Sequence, residues 1–227
     1  MPNWRFEPCT PSSGSTNHRW NLGDYSVVVL DFETTGLSPD NGDRAIEIGA
    51  VLVRNNQPVD RFQSLMNPGK RISLFIQDYT GITNAMLKKA PPIDEVMDEF
   101  SNFMAGHHLV AHNAGFDRRF LDAELQRIGK RRTQEFACSM LASRRIYPDA
   151  PSHNLEALVR YTDIATDGTY HRALADAEMT ARLWIGMINE LKTAYRLRQV
   201  SFDLMQRLSK ISKASAPAYL SRIAEAP

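Results

Sequence analysis

The sequence predicts an α/β fold in which a mixed five-stranded sheet is flanked by helices. Three observations predict it: a β-branched apolar run over residues 25–31, two alternating segments behind it, and two later short apolar runs that each lead into a helical period. A chain of 227 residues with 43% hydrophobic content can bury one full core, so a single globular unit with tails is expected.

Taken in order, residues 1–24 scatter Pro2, Pro8, Pro11 and Gly14 among Trp4, Phe6 and Trp20 without any period, and read as an N-terminal arm. Residues 25–31 are a strand buried on both faces, closed by the turn Thr34-Thr35-Gly36. Alternation over 45–53 and again over 59–65 gives two more strands and a three-strand meander. Asn67-Pro68-Gly69 breaks the chain, and short helices follow near 73–78, 83–87 and 94–104, the last capped by Asp94. A fourth strand at 108–111 leads into a helix over 114–128 that Gly129 stops. A fifth strand at 134–138 precedes helices at 139–146, 154–161 and 173–191. Residues 25–191 therefore form the main domain. Residues 192–227 form a basic tail, in which six basic residues between 192 and 213 face one acid, Asp203, with apolar Leu197, Val200, Leu204, Leu208 and Ile211 at roughly helical spacing.

Lys+Arg 27 against Asp+Glu 26 leaves a net charge of +1, which neither demands nor excludes a polyanionic partner. Acids that hold metal ions cancel basic residues in such a count, while a binding groove needs only a local positive potential. Cys9 and Cys138 cannot build a disulfide framework, and a reducing cytoplasm is the expected location. No apolar run reaches the ~20 residues of a membrane span, and the start lacks the basic-then-apolar pattern of a signal peptide.

Chemistry concentrates in four acids and one histidine. Asp31 and Glu33 stand two apart on the first strand, so both side chains leave one face of the sheet. Carboxylates only a few Å apart repel by about 4 kcal/mol at an effective dielectric near 20, so such a pair calls for a cation. Asp117 begins the helix after the fourth strand. Taken alone it could be an ordinary helix-start acid, but His112-Asn113 before it makes a plain cap less persuasive. Asp176 falls in the first turns of the 173–191 helix, while His171, five residues earlier, belongs to the preceding loop and can swing. Carboxylate oxygens suit two hard cations, magnesium or manganese, and an imidazole neutral near pH 7 suits a base that takes a proton from water. The expected metal set is Asp31, Glu33, Asp117 and Asp176, with His171 as base.

Three blocks carry a family resemblance. Asp31-Phe32-Glu33-Thr34-Thr35-Gly36-Leu37, His112-Asn113-Ala114-Gly115-Phe116-Asp117 and His171-Arg172-Ala173-Leu174-Ala175-Asp176 resemble the three motifs of the DEDDh 3′-to-5′ exonucleases, the group that includes proofreading epsilon subunits and ribonuclease T. The resemblance spans residues 25–191 and implies a ribonuclease H-like fold, two magnesium or manganese ions, and release of nucleoside 5′-monophosphates. It also implies that Thr34, Thr35, Gly36 and Leu37 line the pocket for the terminal nucleotide, with Leu37 wedged against the last base. Phe116 matches a position that packs on that nucleotide, and reads equally as a core aromatic. Residues 79–83 resemble a further wall of the pocket, but Thr80 stands where the epsilon subunit has histidine. His153 reads as structural.

The expected substrate is the 3′ end of single-stranded or frayed DNA, with RNA as the rival and a silent nucleic-acid or polymerase adaptor as the reading from a different class. Arg118, Arg119, Arg127, Lys130, Arg131 and Arg132 cluster on and after the helix that starts near Asp117, where a phosphate backbone could pass. The basic tail could contact nucleic acid, dock a polymerase or other protein, or pack back on the domain.

Overall fold

The computed structural model describes residues 25–166 and 171–225. The N-terminal arm thus lies outside the described residues. Five strands form one sheet in the order β3-β2-β1-β4-β5: β1 (Ser26–Thr34), β2 (Ala45–Arg54), β3 (Gln57–Leu65), β4 (His108–Ala111) and β5 (Phe136–Cys138). β1 pairs antiparallel with β2 and parallel with β4, so the sheet is mixed and β1 is central.

Because successive side chains leave opposite faces of a strand, β1 divides its residues between two cores. Val27 and Val29 join a cluster with α5 (Ser139–Ile146), α7 (Ala173–Ala194) and α8 (Phe202–Lys210). Val28, Leu30 and Phe32 join the opposite cluster, with α3 (Ile93–Phe103) and α4 (Gly115–Arg127). Asp31 and Glu33 continue the odd-numbered series, and so stand on the α7 side.

Short helices pack beside the sheet on both sides. Helices α1 (Leu74–Thr80) and α2 (Asn84–Lys89) bring Ile76 and Leu87 against Ile46 at the start of β2. On the α7 side, α6 (Leu155–Tyr161) is capped by Asn154, whose side chain accepts from the Ala157 amide.

Several local expectations need correction. Asp94 does not cap α3: the cap residue is Pro92, and Asp94 lies in the first turn, where its charge still favours the helix N-terminus. β5 keeps three residues of the expected five, and α7 runs to Ala194. Among the described residues, the helical parts of the basic C-terminal segment are the end of α7 (to Ala194), α8 and α9 (Ala216–Ala224); between α7 and α8, Arg196 adopts a positive φ of 54° that ends regular helix. The apolar face of α8, with Phe202, Leu204, Met205 and Leu208, is buried in the same core as α7, which leaves Arg207 and Lys210 exposed.

Candidate active site

Asp31 and Glu33 lie near the end of the buried face of β1, and α7 brings Asp176 to them. Gly49 of β2 lies directly across from Asp31 in the strand pairing, and Glu47 lies across from Glu33. The first turn of α7 rests on Gly49, where a Cβ would come within 2.1 Å of the Leu174 amide nitrogen. Glu47, fully buried, then fixes that turn: it accepts from Arg172 Nε (3.1 Å), Arg172 Nη2 (2.8 Å) and the Ala173 amide (3.1 Å). A helix N-terminus has unpaired N–H groups, and a buried carboxylate is a suitable acceptor for them. As a result, carboxylate oxygens of Asp31, Glu33 and Asp176 all lie within 4.8 Å of one another.

Asp117 arrives from the other layer. Pairing between β1 and β4 stops at Val29 and Val110, so Phe32 lies beyond it, and its amide donates to Asp117 Oδ1 at 3.2 Å. This bond anchors the first turn of α4 beside the middle of the Asp31-Phe32-Glu33 segment. Further along α4, buried Glu124 takes the Ala45 amide and the guanidinium groups of Arg44 (3.0 Å) and Arg127 (3.1 Å), tying the helix to the start of β2.

The electrostatics of the set follow from crowding. Burial first, then the charges of Asp117, Asp176, Glu33 and Glu47, push the Asp31 carboxyl well above the usual range. Burial and the charges of Asp176, Glu47 and Asp117 raise Glu33 to about 8, against a lowering by Arg172. Burial raises Asp117 to about 7, although two backbone N–H groups oppose it, and raises Asp176 to about 6 against the opposing charge of His171. Acids held this close are stabilised in their charged form by a cation among them. The donor set is all carboxylate oxygen, which fits hard divalent ions rather than zinc or copper.

His171 sits at the rim in a left-handed conformation (φ 59°), and its amide donates to Asp176 Oδ2 at 3.0 Å. Its ring lies against Tyr79, with centroids 4.0 Å apart. Tyr79 in turn stacks on Phe75 at 5.9 Å, and both rings, with Leu74, are exposed on α1. Burial, followed by the charges of Glu33, Asp176 and Asp31, raises the Tyr79 hydroxyl above its ordinary value, so this ring borders the acids.

The remaining residues of the expected pocket divide in two. Leu37 is 78% exposed, a large apolar side chain with no covering. Thr34 and Thr35 are engaged locally: Thr34 Oγ1 donates to the Gly36 carbonyl at 2.6 Å, and Thr35 Oγ1 donates to Asp43 at 3.0 Å. Gly36 packs against that same carboxylate: a Cβ there would meet Asp43 Oδ2 at 2.4 Å and would have to displace the side chain. Thr80 is buried; its hydroxyl donates to the Ile76 carbonyl and accepts from the Ile82 amide, so it shapes the end of α1. Phe116 is half-buried against Phe120, with centroids 5.0 Å apart. His112 clips Ser139 Oγ and the His153 carbonyl, both at 2.9 Å, and burial lowers it to about 4. His153 Nε2 lies 3.1 Å from the Tyr147 carbonyl.

Sequence reasoning missed Glu47, Gly49, the pairing of Arg172 with Glu47, and Phe75, whereas Tyr79 lies in the 79–83 segment expected to wall the pocket. One signal was available: Glu47 interrupts Ile46 and Ile48 in a strand buried on both faces, and a charge there must be paired.

An exonuclease family model of the RNase T type matches residues 28–184. The chain belongs to the DEDDh 3′-to-5′ exonuclease family. It is 37% identical over 188 residues to the PolC-type DNA polymerase III of Caldanaerobacter subterraneus subsp. tengcongensis, a match that covers 82% of this chain and 13% of that protein. It is 34% identical over 187 residues to the 3′-5′ exonuclease DinG of Bacillus subtilis, covering 82% and 19%. This exonuclease chain therefore spans less than a fifth of the length of either relative. Among solved structures, exonuclease X in complex with 5′ overhanging duplex DNA superposes with a TM-score of 0.64 at 26% identity, covering 81% of this chain and 99% of that one. The fold is thus ribonuclease H-like, and the carboxylate cluster fits the divalent ions that such exonucleases use. Among the described residues, no helix is long and apolar enough to cross a membrane.

Proposed function

We propose that this exonuclease removes nucleoside 5′-monophosphates one at a time from the 3′ end of DNA that is single-stranded or frayed. The observation that carries the reading is the convergence of Asp31, Glu33 and Asp176 oxygens within 4.8 Å, with Asp117 held on the Phe32 amide beside them. Asp31, Glu33, Asp117 and Asp176 would hold two magnesium or manganese ions. When bound, these ions supply Lewis-acid stabilisation for charge that develops on a phosphodiester.

The chain's own residues do the rest. His171 takes the proton from the attacking water. Its backbone bond to Asp176 keeps the loop residue at the metal set, and Tyr79 supports the ring. Leu37 wedges against the last base, and the exposed Phe75 and Tyr79 rings offer apolar faces to unstacked bases, which favours an unpaired end. Phe116 closes the pocket from α4. The PolC-type relative is a DNA polymerase, which supports DNA over RNA and makes a polymerase a fitting partner.

Labelled DNA and RNA oligonucleotides of matched sequence test the reading. Stepwise shortening from the 3′ end with magnesium or manganese, faster on single-stranded DNA than on RNA, is expected. Faster cutting of RNA would reverse the substrate assignment; an inert protein on every 3′-ended substrate would leave an adaptor.

A further inference from the structure

We infer that the groove along the β5 edge of the sheet, between α4 and α8, is a second contact for the substrate strand and holds its phosphates upstream of the 3′-terminal nucleotide. The inference rests on the nuclease reading above for the identity of the strand, but the groove stands apart from the acidic set.

The groove has a cavity of about 610 Å³, with Arg118 and Gln126 from α4, Arg131 and Arg132 from the following loop, and Gln206 and Lys210 from α8. Its acids are Asp122 and Glu135. Asp122 is consumed internally, since Arg132 binds it through Nε (2.6 Å) and Nη2 (3.1 Å) while its guanidinium lies 5.6 Å over the Phe136 ring. Glu135 takes the Gln206 amide at 2.8 Å. Arg118 and Arg131 have no acidic partner among the described residues, and Lys210 Nζ meets only the Gln206 amide oxygen, at 3.1 Å. Four cations against two acids leave an excess of two positive charges in one concavity.

Such an excess is a binding site for anions, and its shape selects a chain-like anion. Its cations come from three separate segments: α4, the loop that follows it, and α8. Residues 118 to 126 of α4 span ~12 Å at 1.5 Å per residue, the length of about three to four phosphates at ~3.4 Å per stacked nucleotide. An apolar partner helix is disfavoured because the walls are charged side chains and amides. Phe136 is covered by Arg132, so recognition falls on the backbone and carries no base preference. Arg118 follows Asp117 on α4, one residue and ~100° around the helix, so the two side chains leave different faces of the same turn.

Arg131→Glu with Lys210→Glu tests this, since neither residue touches the acidic set. The milder Arg131→Gln with Lys210→Gln serves if the reversal unfolds the protein. Turnover is measured on a single-stranded 20-mer and on thymidine 5′-(p-nitrophenyl) phosphate, which reaches only the metal site. Binding of the labelled 20-mer is followed by fluorescence anisotropy in calcium over a salt series. KM and Kd for the 20-mer should rise about tenfold or more, with kcat and small-substrate turnover unchanged. The slope of log affinity on log salt should shrink by about 1.4, the value for two lost single-strand contacts. Unchanged Kd and salt slope would overturn the groove assignment. A wild-type protein that binds the 20-mer through the groove yet cuts neither substrate would instead remove the nuclease reading and leave the groove standing.

Discussion

Gly49 lies directly beneath Leu174: a Cβ at Gly49 would stand 2.1 Å from the Leu174 nitrogen and 2.2 Å from the Ala173 carbonyl carbon. These are backbone atoms, which cannot step aside as a flexible side chain would. Since Gly49 also faces Asp31 across the sheet, the absence of one methyl group lets α7 carry Asp176 to the acid pair.

Gly49→Ala should therefore push α7 off β2. Overpacking of this kind costs ~1–3 kcal/mol, and activity should fall further than stability because Asp176 moves with the helix. Gly186→Ala, in the same helix, is the control. A Cβ there meets only the Tyr147 hydroxyl at 3.7 Å, so the change should stabilise by ~0.5–1 kcal/mol. Urea unfolding of both variants checks this; an equally stable Gly49→Ala would show that the contact is not tight.

Glu47→Ala strips Arg172 and the Ala173 amide of their acceptor. Charged hydrogen bonds of this type contribute ~1.5–3 kcal/mol, and the lower end applies because the Arg172 side chain is 34% exposed and screened by water. Glu47→Gln keeps an acceptor and should lose less. Thermal melts of the pair rank them, and equal losses would mean that charge, not hydrogen bonding, holds the α7 turn.

Stability of the metal-free protein should fall as pH rises. Glu33, Asp117 and Asp176 have folded-state values of about 8, 7 and 6, above their values in an unfolded chain. The folded state therefore binds more protons, and the stability this confers is complete below ~4 and lost as pH climbs through 6 to 8. Magnesium should raise Tm more at pH 8 than at pH 5.5, and Asp31→Ala should abolish most of that increment. A metal-induced rise independent of pH would contradict the crowded-acid account.

His171→Ala should keep metal binding, read as the magnesium-induced rise in Tm, while losing most turnover. Tyr79→Ala should lower kcat by roughly 2- to 12-fold, the equivalent of a ~0.5–1.5 kcal/mol ring contact, whereas Tyr79→Phe should retain it because ring faces, not the hydroxyl, meet the imidazole. Full activity in Tyr79→Ala would mean that this contact does not position His171.

Much of this was legible in the chain. Val27 to Leu30, with nothing polar among them, could only be a strand covered on both faces, and the period of two placed Asp31 and Glu33 together. The Asp117 and Asp176 positions followed from helices that begin just before them. Less legible were contacts with no local signature: Glu124 of α4 reaches Arg44 from 80 residues away, and the Tyr79 ring of α1 meets the His171 ring from the loop before α7.

Sequence alone determined the layers and the strand that carries Asp31 and Glu33 two residues apart, because periodicity and spacing are properties of neighbouring residues. Only tertiary structure decided that Gly49 admits α7, that Glu47 locks its first turn, that Asp117 takes the amide left where β4 ends, and that α8 closes a basic groove. Each of these depends on two segments far apart along the chain meeting at a few Å, and no local pattern encodes a distance between them.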